Sequence, residues 1–137
     1  MLNVVMLNKK KKILLGAVCI IVLVGGIIGG KYYISLKKYN KIVNAIKISN
    51  VDLTKVSDGK YTGFCDAVLV ASEVSVTVKN NKIEDIILLS HKTERGQSAE
   101  VIPEKVLEAQ SLQVDTITGA TNSSKVILKS IENALTK

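Results

Sequence analysis

The fold is decided by residues 74–89, VSVTVKNNKIEDIILL. Apolar and polar side chains alternate from 74 to 79, which is the pattern of a strand buried on one face. The pair Asn80-Asn81 favours a tight turn, because Asn tolerates a positive φ. Residues 83–89 are again rich in strand formers. The sequence therefore predicts a β-hairpin, and residues 61–71, which are also rich in β-formers, predict a strand before it.

Two helices are predicted after the hairpin. Residues 98–110 favour a helix that Pro103 either starts or kinks. Residues 123–135 favour a second helix with one apolar side. The polar, Gly-containing residues 91–97 predict a loop between the hairpin and the first helix. Because strands and helices are segregated along the chain, the predicted class is α+β, a small antiparallel sheet packed with two helices.

An apolar segment precedes this domain. Residues 13–30 are 18 consecutive Gly or apolar residues, with Lys at 9–12 before them and Lys31-Tyr32-Tyr33 after them. As a helix the run would be about 27 Å long, close to the thickness of a bilayer core. We therefore predict a transmembrane anchor, and the competing interpretation is a cleaved signal peptide. The length of the run favours the anchor, and Cys19 inside it does not suit a lipoprotein cleavage site.

The residues after the anchor predict a helical stalk. Apolar or aromatic side chains recur at a helical spacing along one stripe, at positions 32, 36, 39, 43 and 46. The stalk could be a rigid extension or lie on the membrane surface. Alternatively, it could pack on its own domain or dimerise. The predicted parts of the chain are a basic tail 1–12, an anchor 13–30, a stalk or linker 31–56 and a domain 57–137.

The charge follows the same division. The 137 residues carry a formal net charge of +7. Residues 1–56 contain ten Lys against Asp52 alone, so they carry +9 and residues 57–137 carry −2. A mildly acidic domain with few aromatic side chains is poorly suited to nucleic acid. The compact Lys cluster before the anchor favours an inside N-terminus and an extracytoplasmic domain.

A hydroxyl-rich turn, residues 114–124 (VDTITGATNSS), stands directly before the second predicted helix. Gly119 allows a sharp turn and the close approach of a ligand. The first N–H groups of a helix lack internal partners and carry the positive end of the dipole, which suits a phosphate. Asn122 or Ser123 is predicted to cap the helix. The alternative is a capped helix that binds no ligand.

Residues 115–121, DTITGAT, resemble the flavin-attachment signature of the FMN-binding domain family. That family includes flavin-carrying subunits of bacterial membrane redox pumps and membrane-anchored extracellular flavoproteins. The resemblance covers about residues 57–137, including an opening strand at 58–63, the hairpin, and the helix that leads to the signature. It implies that a flavin transferase couples the Thr121 hydroxyl to the phosphate of FMN. The transferase would use FAD as donor and Mg²⁺ as its own cofactor.

The resemblance also implies a set of site residues. Thr121 would carry the flavin, and Asp115 and Thr118 would serve mainly in recognition and positioning. Gly119 and Ala120 would give the transferase and the flavin access to Thr121. His91 could edge the flavin or be an ordinary loop residue; as the sole His it excludes a multi-His metal site. Neither a catalytic residue nor a metal site is predicted. The full set of predicted FMN-binding residues is Thr121, Asp115, Thr118, Gly119, Ala120, Ser123, Ser124 and His91.

The resulting expectation is a single-pass membrane flavoprotein with covalent FMN that transfers electrons at the extracytoplasmic face. Its expected partners are the flavin transferase and a membrane redox complex or a quinone-linked donor. Such a protein is an electron carrier or a component of a redox complex more than a stand-alone enzyme. Two alternatives stay open: a non-redox binding module of the cell envelope, and a reductase domain that holds FMN without a covalent link.

Overall fold

The computed structural model describes residues 2–137, with side chains from residue 8 onward. The first seven residues of the predicted basic tail therefore lie outside the described side chains. The chain divides into two compact units, one ending at Leu36 and one spanning Lys37–Lys137. The first unit consists of the greater part of α1, Leu2–Ala45. By length and composition alone this helix could cross a membrane, a test that an N-terminal signal sequence also meets.

The second unit contains a three-stranded antiparallel sheet. Its strands are β1 (Gly59–Asp66), β2 (Ala71–Lys79) and β3 (Lys82–Lys92), in the order β1-β2-β3. The predicted hairpin and the strand before it are confirmed. Asn80 and Asn81 both adopt positive φ, 51° and 61°, which a two-residue hairpin turn requires.

The helices follow the strands, as predicted, and the α+β class is confirmed. A 3₁₀-helix, Gln97–Val101, leads into α2 (Ile102–Ala109), and α3 spans Thr121–Leu135. Pro103 lies in the first turn of α2, where no N–H is needed, so it starts this helix and does not kink it. The loop predicted at 91–97 is shorter than expected, because residues 91 and 92 continue β3.

The core lies between the sheet and α3. Val74, Val76 and Val78 point from β2 into a cluster that contains Ile127 and Ile131 of α3, and none of the five is more than 1% exposed. Burial of such side chains contributes about 1.5–3 kcal/mol each.

Gly63 explains how closely β1 approaches α3. A Cβ at this position would overlap the backbone oxygen of Ser130 and crowd Ala134. The strand therefore packs directly on the helix backbone, which a larger residue would prevent.

The end of α1 packs on the domain. Val43 is 1% exposed and belongs to a second buried cluster with Ala67, Val70 and Val126. Of the alternatives that the sequence left open for residues 37–46, the structure shows packing on the protein's own domain. The side chains that are partly buried against this cluster are Tyr39, Ile42, Ile46 and Cys65.

Residues 46–49, called here the linker segment, leave α1 and run beside α3. The Ser49 N–H donates to Oε2 of Glu132 at 3.2 Å. The Lys129 ammonium donates to the carbonyl of Lys47 at 3.3 Å and also contacts Oε1 of Glu132 at 3.1 Å. The linker segment is thereby held against one side of the helix that follows the signature.

Candidate functional site

The signature forms a tight turn immediately before α3. The Ala120 N–H donates to the carbonyl of Ile117 at 2.9 Å. Gly119, the third residue of the turn, has a φ of +81°, the conformation that a type II turn requires there. Apart from Gly119 itself and its two chain neighbours, no atom of the described residues lies within 4 Å of the place where a Cβ would stand. Glycine is therefore needed for its backbone conformation, and the space beside it is open.

The first turn of α3 is uncapped. Thr121 is the first residue of the helix and is exposed. The N-cap is Ala120, and no side chain in the described part of the chain bonds to this end. The cap predicted for Asn122 or Ser123 is wrong, because the helix begins before them and both lie inside its first turn. The outermost N–H groups therefore have no side-chain partner among the described residues, and they lie at the positive end of the dipole.

Ser124 ties the turn to the helix. Its side chain is fully buried. The hydroxyl donates to the carbonyl of Ala120 at 2.8 Å and accepts the N–H of Ile117 at 3.0 Å. Both hydrogen bonds are internal, so Ser124 fixes the shape of the turn and its hydroxyl is already engaged.

Ser123 joins the turn to the loop that follows β3. It is 3% exposed, and its hydroxyl lies 3.1 Å from that of Thr93, which also accepts the N–H of Gly96 at 2.8 Å. A Cβ on Gly96 would overlap the Ser123 hydroxyl. The loop is thus pressed against this side of α3.

The remaining signature positions are open to solvent. Asp115 and Thr118 are exposed, as are Gly119 and Thr121, whereas Ala120 is buried. Among the motif's hydroxyl groups at 118, 121, 123 and 124, the structure leaves those of Thr118 and Thr121 accessible. The signature is therefore a surface turn with one exposed hydroxyl at the start of a helix.

His91 has a different setting on β3. Its side chain is only 2% exposed, and Nδ1 lies 3.0 Å from Oε1 of Glu100. Nε2 is buried and has no partner in the part of the chain that the structure describes. The ring is therefore held within the fold and does not stand on the exposed turn. The described residues also contain no group of three or more His, Cys, Asp or Glu side chains that could hold a metal ion.

Two grooves flank Asp115, and the sequence did not predict either. One has a volume of about 340 Å³ and lies between the linker segment and α3, lined in part by Lys125 and Leu128. The other, of about 450 Å³, is lined in part by Lys105 and Glu108 of α2. Of the groove residues named here, only Lys125 could have been linked to the signature from the sequence. It follows Thr121 by four residues and so lies on the same side of the helix.

The chemistry of the site suits a phosphate ester such as that of FMN. Thr121 offers an accessible hydroxyl, the uncapped N–H groups offer donors, and Gly119 leaves the approach open. A phosphate at a helix N-terminus is favoured by both the N–H groups and the dipole. The exposed turn and the adjoining grooves therefore fit a flavin nucleotide held by its phosphate end.

Two comparisons with known proteins agree with this geometry. The model of the FMN-binding domain matches residues 71–136, a segment that includes β2, β3, the signature and α3. The predicted resemblance to the FMN-binding domain family is confirmed over these residues.

A curated protein, NADH:acrylate oxidoreductase of Vibrio harveyi, is 35% identical over 92 residues, which is 65% of this chain. The chain spans only 9% of the length of that relative. Together the two matches support a flavin-binding redox role, with FMN as the cofactor.

Proposed function

We propose that the protein carries FMN through a phosphodiester on Thr121 and serves as an electron carrier at the extracytoplasmic face of a membrane. The observation that carries this proposal is the exposed, uncapped first turn of α3. The chemistry that FMN supplies is electron transfer, and the protein supplies its position and its polar surroundings.

The attachment step requires an accessible hydroxyl. In the proposed reaction, Oγ of Thr121 attacks the flavin-side phosphorus of FAD. The bond between the two phosphates breaks, AMP leaves, and the hydroxyl proton is released. The transferase, with its Mg²⁺, would recognise the turn through Asp115 and Thr118, and Gly119 and Ala120 keep the approach to Thr121 free of bulk.

The product is stabilised by its place in the fold. The remaining anionic phosphate oxygen faces the N–H groups of the first turn of α3, which no side chain in the described part of the chain caps. Interaction of an anion with a helix N-terminus contributes about 0.3–1 kcal/mol at exposed sites. The phosphodiester would therefore take the position that the side chain of a Ser, Thr, Asp or Asn N-cap occupies in a capped helix.

The proposed location rests on α1. The helix anchors the chain in the membrane, with the Lys cluster at 9–12 inside and the FMN domain outside. At that face a covalent link prevents loss of the cofactor by diffusion. Protease added to intact spheroplasts should degrade the domain, whereas a cytoplasmic domain would be protected.

Electrons would come from a membrane redox complex or a quinone-linked donor. The similarity to a segment of an NADH:acrylate oxidoreductase favours a separate reductase as the acceptor. In this arrangement the chain needs no substrate pocket of its own and acts as a carrier between two larger partners.

The proposal is tested by expressing the full chain with and without a flavin transferase. Flavin fluorescence should survive on a denaturing gel only when the transferase is present. A non-fluorescent band with unmodified mass in both samples would refute the proposal and favour a non-redox envelope module. Flavin that copurifies but is lost on denaturation would instead indicate a non-covalent reductase domain.

A further inference from the structure

The groove between the linker segment and α3 is lined by two residues on the same side of α3 as Thr121. Lys125 and Leu128, which line it, follow Thr121 by four and seven residues, so all three lie on one side of α3. Four residues of helix span about 6 Å. A group tethered at Thr121 therefore reaches the groove without crossing the helix.

The opposite side of the first turn is occupied. Ser123 lies on that side, where its hydroxyl contacts Thr93 and where Gly96 leaves no room for a Cβ. A bulky group attached to Thr121 is thus excluded from the side of the loop after β3. The space open to it is that of the grooves beside Asp115.

The walls of the first groove suit a flat ring system with one apolar end and one polar end. Ile46 and Ile48 of the linker segment supply its apolar wall, and Leu112 and Leu128, which are 3% and 2% exposed, lie at its base. Its volume of about 340 Å³ falls in the range of small-molecule sites, which are mostly apolar with a few polar groups. The second groove has Lys105 and Glu108 in its walls and offers less apolar surface to such a ring.

Lys125 supplies the polar group. It is partly exposed and takes part in none of the salt bridges found among the described residues. A Lys side chain leans toward the N-terminus of its helix, which directs this ammonium toward Thr121. The ammonium can donate to a carbonyl of the flavin ring and attract the negative charge that the ring gains on reduction.

We propose that this groove seats the flavin ring of the cofactor carried by Thr121, with Ile46 and Ile48 of the linker segment as one wall and Lys125 as the cationic group at its rim. The inference rests on the proposed attachment at Thr121. It adds that the segment that follows α1, which lies outside the family match at 71–136, is part of the flavin site.

The test uses the full, flavinylated chain and the quenching of flavin fluorescence by acrylamide, a neutral quencher. In the native protein the quenching constant should be at least threefold lower than after denaturation in guanidinium chloride. Ile48→Ala opens the wall and should raise the native constant at least twofold. Leu89→Ala is the matched control, because Leu89 is 51% exposed on β3 and does not line the groove.

The cation is tested by the flavin midpoint potential. Lys125→Gln should weaken two-electron reduction about tenfold, which corresponds to a shift of about 30 mV to lower potential. Lys105→Gln makes the same charge change in the second groove and should not change the flavin midpoint potential. Melting curves of all four variants show whether each one is folded.

The outcomes separate this inference from the proposed function. Covalent flavin that is quenched equally in native and denatured protein would overturn the groove while leaving attachment intact. A shift caused by Lys105→Gln and not by Lys125→Gln would place the ring in the other groove and also overturn it. If Ile48→Ala does not fold, the quenching constants of the wild-type protein and the midpoint potential of Lys125→Gln still test whether the ring occupies this groove. A chain without covalent flavin would instead refute the attachment itself.

Discussion

The hydroxyl-rich segment 114–124 contains, besides Thr116, two pairs of hydroxyl side chains that differ in their setting. Thr118 and Thr121, the exposed pair, face solvent, whereas Ser123 and Ser124, the buried pair, are hydrogen-bonded inside the fold. The two pairs lie within seven consecutive residues and carry the same functional group. The difference shows that the presence of a hydroxyl group does not by itself make a side chain accessible, because burial and hydrogen bonding occupy two of these four groups.

The largest expected effect is on the exposed pair. Thr121→Ala should abolish covalent flavin, because the attacking oxygen is removed, while the free energy of unfolding should change by no more than about 0.5 kcal/mol. In-gel fluorescence and thermal melting measure the two effects. Thr118→Ala is the matched control and should retain part of the signal. Persistent full fluorescence in Thr121→Ala would show that another residue carries the flavin.

In the buried pair, substitution should lower the stability of the fold more than substitution of Thr121 does. Ser124→Ala leaves the partly buried N–H of Ile117 without its acceptor and removes the donor to the carbonyl of Ala120, a loss of about 1–3 kcal/mol in the free energy of unfolding. Denaturant titration of the unflavinylated chain measures it. Thr121→Ala is the control in the same titration. Equal stabilities for the two variants would mean that the buried hydroxyl contributes nothing to holding the turn.

A smaller effect is expected at Gly119, which lies between the two members of the exposed pair. Gly119→Ala places a Cβ on a residue with φ of +81°, which costs about 1 kcal/mol. Since the space beside Gly119 is open, the variant should fold and should be flavinylated more slowly. A time course of fluorescence with limiting transferase measures this. An unchanged rate and an unchanged stability would show that the conformation of the turn is unimportant.

Burial also controls the reactivity of Cys65, which lies outside the hydroxyl-rich segment. Burial raises the pKa of its thiol, so less of the reactive thiolate is present at neutral pH. At pH 7.5, a maleimide should label Cys65 in the folded domain more slowly than in the urea-unfolded chain. The labelling rate should rise as the pH approaches the raised pKa. Equal rates in the two states would indicate that the thiol is not shielded.

The sheet could be predicted well because its signals are local. Strand alternation and the Asn80-Asn81 pair are read directly from neighbouring residues, and the hairpin in the structure follows them. The sequence allows Pro103 either to start a helix or to kink one. In the structure a 3₁₀-helix ends just before α2, and Pro103 lies in the first turn of α2. That choice depends on the preceding residues, for which the sequence predicted only a loop and the beginning of a helix.

The start of α3 was placed two residues late for a physical reason. Asn122 and Ser123 are good capping residues, so the sequence favoured a helix that begins after them. In the structure the Ser124 hydroxyl bonds back to the turn and the helix starts at Thr121 without a cap. The general preference of Asn and Ser for the N-cap position is therefore overridden here by the hydrogen bonds of Ser124.

The grooves could not be predicted, because they depend on tertiary contacts. The linker segment reaches α3 through backbone atoms of residues 47 and 49, which bond to Lys129 and Glu132. Backbone contacts across about 80 residues of chain leave no pattern in the sequence. The helical stripe of the stalk was visible, but its partner cluster around Val43 was not.

The most direct test of the account is mass mapping of peptides from the full chain after expression with a flavin transferase. The account predicts one adduct, of FMN less one water, on the peptide that contains Thr121, with fragment ions that assign it to that residue. Thr118, Ser123 and Ser124 should be unmodified in the same spectrum. An adduct on any of those three residues, or a fully unmodified signature peptide, would contradict the account.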